Sequence, residues 1–462
     1  MKNPAKDSLI DVLFLLGASL FFLIFRLGYG SLASWDEAIY ASVAKEMALS
    51  GDWLRLTLNG APWFDKPPVS IWGTAVFYKL FGVNEFSARL FSALCGVGAV
   101  LVTYFLGRRL FNRWTGFVGA LVLLSSSHFL RFARFGMTDA PLVFFLTLAL
   151  FFFWRGRDQN RYLIFSGIAL GLGILTKSFA ALMLLPVVWL YCLWAGEMEI
   201  LGRSSYWIGV ILAVAIALPW NLWETFVYHN SFVSEAVVKH SWVRTLTAVD
   251  GHGGNFYFYI RVLVNKYHPW VLIGIFSAPL FLFKALKNRE PEIIFLTSWM
   301  FVIFIIITVM RTKLPWYLLP VYPPLSLSVA CFFVKLFHER YRRGVSLAFL
   351  LILVLHIYYS RLFSQDYSHD LKILTPAVQK ELAGEKDVYL YNFHESPAIS
   401  FYWGKRSLYV DNPEAFVSAA RSVKNFFCVV RARDWETLQK DLPKSDFSVR
   451  ASVGDLRLLS RA

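Results

Sequence analysis

The sequence predicts an all-α protein that crosses a membrane many times and carries a small α/β domain at its C-terminal end. Of the 462 residues, 57% are hydrophobic and 17% are charged, a composition typical of a polytopic membrane protein rather than an ordinary soluble fold. Long apolar segments recur up to residue 361, and a soluble pattern begins near Leu362. We therefore predict a transmembrane domain over residues 1–361 and an α/β domain over residues 362–462.

The transmembrane domain is predicted to contain about eleven helices. A helix needs about 20 apolar residues to cross the hydrocarbon core of a bilayer. No small-residue cleavage site follows the first apolar segment, so we expect that segment to be a retained helix. The predicted spans lie near residues 9–28, 86–106, 115–130, 140–155, 161–176, 178–195, 205–223, 268–284, 293–310, 317–336 and 344–360.

Basic residues cluster in alternate loops and so predict an orientation. Lys and Arg total 46 against 31 Asp and Glu, a formal charge of +15. The loops that contain Arg108, Arg155, Lys287 and Arg342 fall on the same side as Lys2. Positive residues favour the cytoplasmic side, so the N-terminus is predicted to be cytoplasmic, and the charge does not indicate nucleic-acid binding. The opposite side receives residues 29–85, 131–139, 224–267 and 311–316 and the C-terminal domain.

The C-terminal domain alternates short apolar segments with helical ones. The apolar segments are DVYLYNF, RSLYVD and NFFCVVRA, and helical stretches begin near Ser396, Pro413 and Asp434, a pattern that predicts a small α/β fold. The domain has neither a glycine-rich phosphate loop nor a nucleophile elbow. We therefore predict a cap or docking module and no nucleotide cofactor.

Carboxylates open the first outer loop, where Asp36 and Glu37 follow the first span by a few residues. Acidic residues favour a helix N-terminus, so either one is a candidate cap for the helix AIYASVAKEM. A carboxylate at the membrane surface is also a candidate general base, placed where a lipid head group and a second substrate meet. The two roles are compatible, and both residues are candidate catalytic residues.

The same loop ends in Phe64-Asp65-Lys66-Pro67-Pro68, where two prolines follow an adjacent acid and base. A simple turn is one explanation of the prolines. The segment after them is predicted to lie along the membrane interface. A lysine held there suits a lipid phosphate, and Asp65 suits a metal or a sugar hydroxyl.

Asp139 heads an otherwise apolar helix on the outer side. It either caps that helix or faces the site, and we favour the site because ionisable residues in membrane helices are commonly functional. Arg131 and Arg134 precede it, and an arginine pair at a helix end is also explained by snorkelling to the interface.

His240 lies in the outer loop 224–267, four residues before Arg244, and no two ligands there have a short metal spacing. A lone histidine is more often structural than a metal ligand. A histidine together with the Asp65 carboxylate suits a divalent ion such as zinc, so Asp65 and His240 are candidate zinc ligands.

Lys313 and Tyr317 belong to the segment Arg311-Thr312-Lys313-Leu314-Pro315-Trp316-Tyr317. Basic residues on the outer side run against the orientation rule, and an anionic ligand explains them better than topology does. An ordinary aromatic belt is enough to explain Trp316. Lys177, between the fifth and sixth predicted spans, is a similar case.

Taken in order, these motifs resemble the GT-C glycosyltransferases related to the aminoarabinose transferase ArnT and to protein O-mannosyltransferases. The resemblance rests on WDE-x-x-Y, GDW…NG…FDKPP, EFSARL, TDAPL and KLPWYLLP, and it covers residues from about 10 to 330. It implies the GT-C fold, a bacterial inner-membrane location, an active site and C-terminal domain on the periplasmic side, and a sugar donor carried on polyprenyl phosphate. Transfer would invert the anomeric centre, and the acceptor would be lipid A, another envelope glycan or a protein.

The resemblance also implies roles for individual residues. Asp36 would be the catalytic base and Asp139 would lie near the acceptor or the sugar. Asp65 and His240 would hold zinc. Lys66, Arg244 and Tyr317 would hold the lipid phosphate. A polyprenyl-linked donor is consistent with the absence of a nucleotide-binding motif.

Two other classes of protein have the same composition. A transporter or flippase of lipid-linked sugars is one, but such proteins place polar sites near the bilayer midplane, whereas the charges here crowd one surface. The other is a membrane scaffold whose C-terminal domain recruits a partner.

Overall fold

Apolar helices form most of the computed structural model, which describes residues 4–243, 246–248, 251–336, 341–360, 363–385, 387–393, 396–423, 425–441 and 446–461. The chain divides into two compact units. Unit 1 comprises Met1–Leu27, Phe64–Gly73 and Arg89–Phe363, and unit 2 comprises Gly28–Trp63, Thr74–Ala88 and Ser364–Ala462. Unit 2 therefore groups two parts of the first predicted outer loop with the C-terminal part of the chain.

Unit 1 is helical, and its helices follow the apolar segments of the sequence. They are Pro4–Ile24, Arg113–Ser125, Ser127–Ala133, Asp139–Gly156, Arg161–Leu182, Leu184–Ala195, Glu199–Gly202, Ser204–Tyr228, Asn230–Phe232, Phe258–Lys266, Val271–Asn288, Pro291–Val309, Tyr322–Leu336 and Arg342–Ser360. Val233–Val243 forms a π-helix and Pro315–Val321 a 3-10 helix. Val69–Phe81 and Glu85–Leu110 each have residues in both units.

Each of the eleven predicted spans contains a helix, but the helices differ in length. Among the described residues, seven helices are long and apolar enough to cross a membrane, or eight if the pair Arg113–Ser125 and Ser127–Ala133, bent by 69°, is one span. Ser126 separates that pair because its backbone is extended. The polytopic fold is confirmed, and hydropathy alone did not indicate such breaks.

Small residues bring the helices Arg161–Leu182 and Ser204–Tyr228 into close contact. A β-carbon added at Gly167 would lie 2.0 Å from the carbonyl oxygen of Gly209, and one added at Gly171 would lie 3.0 Å from the Cα of Ala213. Small residues four apart let helix backbones approach in a membrane, where van der Waals packing drives association. These four residues therefore fix where the two helices cross.

Ion pairs join the loops that were predicted to be cytoplasmic, all within unit 1. They link Arg109 to Asp158, Arg157 to Glu197 and Arg113 to Asp11. One end of the unit therefore contains the loops after the second, fourth and sixth predicted spans together with the beginning of the first helix. The orientation rule requires this arrangement.

In unit 2, the helix Asp36–Ser50 is followed by a hairpin. Strands β1 (Thr57–Leu58) and β2 (Ala61–Pro62) pair antiparallel, and Asn59 and Gly60 in the turn have φ values of 55° and 75°, as two-residue hairpin turns prefer. The Glu46 carboxylate accepts hydrogen bonds from Thr57 Oγ1 and from Asn59 N, both at 2.6 Å. The helix thereby holds the hairpin.

A five-stranded sheet forms the rest of unit 2. Its strands are β3 (Asp387–Tyr391), β4 (Arg406–Val410), β5 (Phe427–Arg431), β6 (Phe447–Val453) and β7 (Leu456–Arg461), in the order β4-β3-β5-β7-β6. β3 pairs parallel with β4 and β5, and β7 pairs antiparallel with β5 and β6. The helices are His369–Glu381, Ala398–Trp403, Pro413–Ser422 and Ala432–Asp441. The predicted α/β pattern is confirmed, and the hairpin of β6 and β7 adds to it.

We expect Gly167→Ala to destabilise the protein, because the added methyl group would lie against the backbone of Gly209. Overpacking of this kind costs about 1–3 kcal/mol, so the thermal unfolding midpoint in detergent should fall. Gly17→Ala is the matched control, since a β-carbon at Gly17 meets nothing within 4 Å. Equal midpoints for the two variants would contradict the crossing described above.

Candidate active site

A cavity of about 210 Å³ in unit 1 collects polar residues from four separate segments. Its charged and hydroxyl-bearing residues are Asp65, Lys66, Asp139, Lys177, Ser178 and Tyr317. The rest of the lining is largely apolar and includes Leu142, Phe179, Met183, Ile306, Ile307 and Met310. The combination suits a ligand that carries a charged group on an apolar body.

An ion pair between Asp139 and Lys177 lies at this cavity. Lys177 Nζ is 2.7 Å from Asp139 Oδ1, and the side chains are 13% and 3% exposed, respectively. Desolvating two charges costs several kcal/mol and is offset only when they are close and well hydrogen-bonded. Asp139 is the first residue of the helix Asp139–Gly156, and Thr138 occupies the N-cap position. The favoured sequence interpretation, in which Asp139 faces the site, therefore fits its position at the cavity.

A break in the helix Arg161–Leu182 brings Lys177 to the cavity. Lys177 has φ −157° and ψ 62°, and Ser178 has φ 8° and ψ −102°, so neither is helical. Lys177 Nζ also lies 5.1 Å from the ring centroid of Tyr317, within the range of a cation–π contact. The sequence indicated Lys177 only as a charge between two apolar spans, because nothing local predicts the break.

Asp65 and Lys66 reach the cavity on a segment anchored by Phe64. The Phe64 ring centroid lies 5.1 Å from that of Tyr228 and 5.7 Å from that of Phe232, distances typical of aromatic pairs. Lys66 Nζ donates to the carbonyl oxygen of Asp65 at 3.0 Å. Both side chains are half-buried, so they line the cavity while remaining accessible.

Lys313 makes different contacts from its neighbour Tyr317 and is not among the residues that line the cavity. Its Nζ donates to the carbonyl oxygens of Thr308 at 2.6 Å and Met310 at 2.8 Å, groups that the end of the helix Pro291–Val309 leaves unpaired. Burial lowers the pKa of Lys313, and Arg311 lowers it further. The described role of Lys313 is to cap that helix, and its predicted role in donor binding stays a prediction.

Arg134 also binds helix-terminal carbonyls. Its Nη1 donates to the Phe22 carbonyl oxygen at 2.9 Å and its Nη2 to that of Arg26 at 3.3 Å. The guanidinium lies 4.6 Å from the Phe363 ring centroid. Arg134 therefore closes the C-terminal end of the first helix.

Asp36 and Glu37 begin the helix Asp36–Ser50 in unit 2 and differ in their surroundings. Glu37 is buried and its Oε2 accepts a hydrogen bond from Ala33 N at 2.7 Å, so Glu37 closes the turn before the helix. Asp36 is half-buried, and its carboxylate forms no hydrogen bond or ion pair within the described part of the chain. Of the two candidate bases, Asp36 is the one whose carboxylate is not committed to the turn.

The remaining predicted residues fall wholly or partly outside what the structure describes. Arg244 lies outside the described residues, and only the backbone of His240 is described, in the π-helix Val233–Val243. No three His, Cys, Asp or Glu side chains come together in the described ranges. Zinc sites use three or four protein ligands, and of the predicted pair only Asp65 is described, so zinc binding stays a prediction.

Comparisons with known proteins find similar sequences. The family model for dolichyl-phosphate-mannose-protein mannosyltransferases matches residues 65–223. An uncharacterized protein of Aquifex aeolicus is 32% identical over 317 residues, which is 68% of this chain and 62% of that protein. A Pseudomonas fluorescens protein, undecaprenyl phosphate-alpha-4-amino-4-deoxy-L-arabinose arabinosyl transferase 2, is 29% identical over 359 residues, 75% of this chain and 60% of that protein.

A solved structure has the same fold. ArnT from Cupriavidus metallidurans, bound to undecaprenyl phosphate, superposes with a TM-score of 0.80 at 19% identity, covering 97% of each chain. This chain matches about three fifths of the length of the curated relatives named above. The alignments, the family model and the fold agree with the resemblance that the motifs indicated: the chain is similar to ArnT-like proteins of the GT-C superfamily and has the fold of ArnT.

Proposed function

We propose that this protein is an integral-membrane glycosyltransferase that moves a sugar from a polyprenyl-phosphate donor to an acceptor on the periplasmic face of the bacterial inner membrane. The observation that carries the proposal is the cavity that places Lys66, Lys177, Asp139 and Tyr317 against an apolar lining. Polyprenyl phosphate combines an anion with a long apolar chain, so it matches both parts of that lining. The names of the relatives and the ligand in the ArnT structure support this choice.

Cations at the cavity would hold the donor phosphate. Lys66 is half-buried and lies at the cavity beside Asp65. Lys177 is paired with Asp139, so its charge is already positioned before a donor arrives. As the sugar leaves, negative charge accumulates on the phosphate, and preorganised cations and a tyrosine hydroxyl in a site largely shielded from water stabilise it. Arg244 and Lys313 remain candidates for the same task.

Asp36 would act as the general base. The acceptor oxygen forms a bond to the anomeric carbon from the face opposite the phosphate, the bond from that carbon to the phosphate oxygen breaks, and polyprenyl phosphate leaves. Asp36 takes the acceptor proton, and attack from the opposite face inverts the anomeric centre. Glu37 accepts a hydrogen bond from Ala33 N, which supports Asp36 rather than Glu37 as the base.

The acceptor is the least constrained part of the reaction. The names of the relatives specify a donor and no acceptor, and a lipid A or other envelope-glycan acceptor is the first candidate because the motifs resemble those of ArnT. A protein hydroxyl is the second candidate, because the family model that matches residues 65–223 describes protein mannosyltransferases. Asp139 would contact the sugar or the acceptor, and Asp65 with His240 would hold zinc if a metal binds.

Mass spectrometry of envelope glycolipids, glycans and proteins from cells with and without this protein tests the whole proposal. We expect one sugar mass increment to disappear in cells that lack it and to return when the gene is restored. The molecule that loses the increment identifies the acceptor. Identical spectra from the two strains, under conditions in which the protein is present in the membrane, would contradict a transferase function.

We expect Asp36→Asn to abolish transfer while the protein remains folded and inserted, because an amide cannot take the acceptor proton. A catalytic base contributes about 10²–10⁴-fold to the rate, so turnover with purified donor and acceptor should fall by at least a hundredfold. Asp52→Asn is the matched control: Asp52 is exposed and accepts hydrogen bonds from Leu54 N and Arg55 N, which an asparagine oxygen also accepts. Near-normal turnover in Asp36→Asn would eliminate Asp36 as the base.

We expect Lys66→Ala to weaken binding of the polyprenyl-phosphate donor more than binding of the acceptor. A charged hydrogen bond to phosphate is worth about 1.5–3 kcal/mol, so the donor Kd should rise by roughly ten- to a hundredfold in a donor titration. Lys79→Ala removes an exposed lysine from the following helix and should leave the donor Kd unchanged. If donor affinity is the same in Lys66→Ala as in the unaltered protein, Lys66 does not bind the phosphate.

A further inference from the structure

The segment that precedes Asp36, residues 31–34, has no regular secondary structure, yet its polar groups are bonded. Asp366 Oδ1 accepts from Ser31 N at 2.8 Å and also from Ser31 Oγ. Tyr402 OH accepts from Leu32 N at 2.8 Å, and Ser368 Oγ donates to the Leu32 carbonyl oxygen at 2.9 Å. All these partners belong to the C-terminal part of unit 2.

Burial makes these bonds hard to replace. Ser31 and Leu32 are fully buried, and Ser368 is 6% exposed, so water cannot take over the role of a missing partner. A buried backbone group left without a partner costs about 1–3 kcal/mol. The segment is therefore held in one conformation only while the C-terminal residues are in place.

The hydroxyl of Tyr402 both accepts and donates a hydrogen bond. While it accepts from Leu32 N, it donates to Glu85 Oε1 at 3.1 Å. The same Glu85 oxygen lies 2.6 Å from Lys372 Nζ. The hydroxyl therefore donates to Glu85 and accepts from the backbone of residue 32.

The backbone at Gly30 shows how closely the two segments approach. Gly30 has φ +73°, and a β-carbon there would lie 2.1 Å from the Gln365 carbonyl oxygen. Only glycine accepts both the left-handed backbone and that contact. Burial raises the pKa of Asp366, but the hydrogen bonds from Ser31 and His369 outweigh it and hold the pKa below its ordinary value, so the carboxylate is ionised at neutral pH and accepts both Ser31 bonds.

A second connection holds the helix that Asp36 begins. Lys45, in the third turn of Asp36–Ser50, donates from Nζ to the Phe401 carbonyl oxygen at 2.6 Å. Phe401 and Tyr402 are neighbours in the helix Ala398–Trp403. That short helix thus holds both the segment before Asp36 and the helix after it.

We propose that the C-terminal domain is a positioning element for Asp36, and that Tyr402 and Asp366 are its positioning residues, which act by fixing residues 31–34. The proposal rests on the proposed role of Asp36 as the base. Neither residue contacts the reacting atoms in this scheme. Removing the Tyr402 hydroxyl or the Asp366 carboxylate should therefore lower the catalytic rate constant without weakening the binding of the donor. It assigns a role in the reaction to a domain that contains no catalytic motif of its own.

The test uses the full-length protein in detergent or nanodiscs and three variants: Tyr402→Phe, Asp366→Ala and the control Tyr389→Phe. Tyr389 lies on β3 with its ring against Phe426 and contacts no part of residues 31–34 in the described structure. We expect kcat to fall about tenfold in the first two variants, because each loses one or two hydrogen bonds to residues 31–34. The donor KM should change less than twofold. Amide hydrogen exchange at Leu32 should become faster in both and stay unchanged in Tyr389→Phe.

Unchanged kcat and unchanged exchange at Leu32 in both variants would overturn the proposal, as would a fall in kcat without faster exchange. If Tyr402→Phe fails to fold, Asp366→Ala alone decides. Measuring Asp36→Asn in the same preparation separates the two hypotheses. Full turnover in Asp36→Asn refutes the role of Asp36 as the base, and the positioning proposal falls with it. If Asp36→Asn is inactive while Tyr402→Phe and Asp366→Ala keep normal turnover, only the positioning proposal is refuted.

Discussion

The bilayer interior offers no water to a charge, and the arrangement of unit 1 depends on that constraint. The carboxylate of Asp139 is almost fully buried and is stabilised by Lys177, which reaches it because the helix Arg161–Leu182 breaks at residues 177 and 178. Elsewhere in the unit, cations meet carbonyl oxygens at helix ends, as Arg134 and Lys313 do. The cavity therefore contains charge that is already paired within the protein.

Much of the fold could be predicted from the sequence because membrane helices have a strong local pattern. The lengths of the apolar segments located the helices, and three apolar segments located β3, β4 and β5. The positions of the basic loops indicated which loops lie on the same side. Breaks within helices were not predictable, because Ser126 and Lys177 are ordinary residues in apolar surroundings whose backbone is set by tertiary contacts. The hydrogen bonds that hold residues 31 and 32 were equally hidden, since their partners lie 335 to 370 positions away.

Some residues of the candidate site could also be predicted from the sequence, and others could not. Asp65 and Lys66 share one motif, Asp139 and Tyr317 come from two others, and the structure brings all four to one cavity together with Lys177. Lys313 resembles Lys66 in sequence, because both are basic residues on the predicted outer side with a proline one or two positions later. In the structure Lys66 lines the cavity, whereas Lys313 donates to the carbonyl oxygens of Thr308 and Met310 at the end of the preceding helix.

The dependence of residues 31–34 on the C-terminal domain also affects biosynthesis. Ser31 leaves the ribosome 335 residues before Asp366, and at 5–20 residues per second that separation lasts roughly 17 to 67 s. The nascent first loop is thus without these partners until the intervening residues have been translated. This delay sets an order of assembly: the helices of unit 1 are made first, and the loop that carries Asp36 gains its hydrogen bonds only after residues 366–402 have been translated and folded.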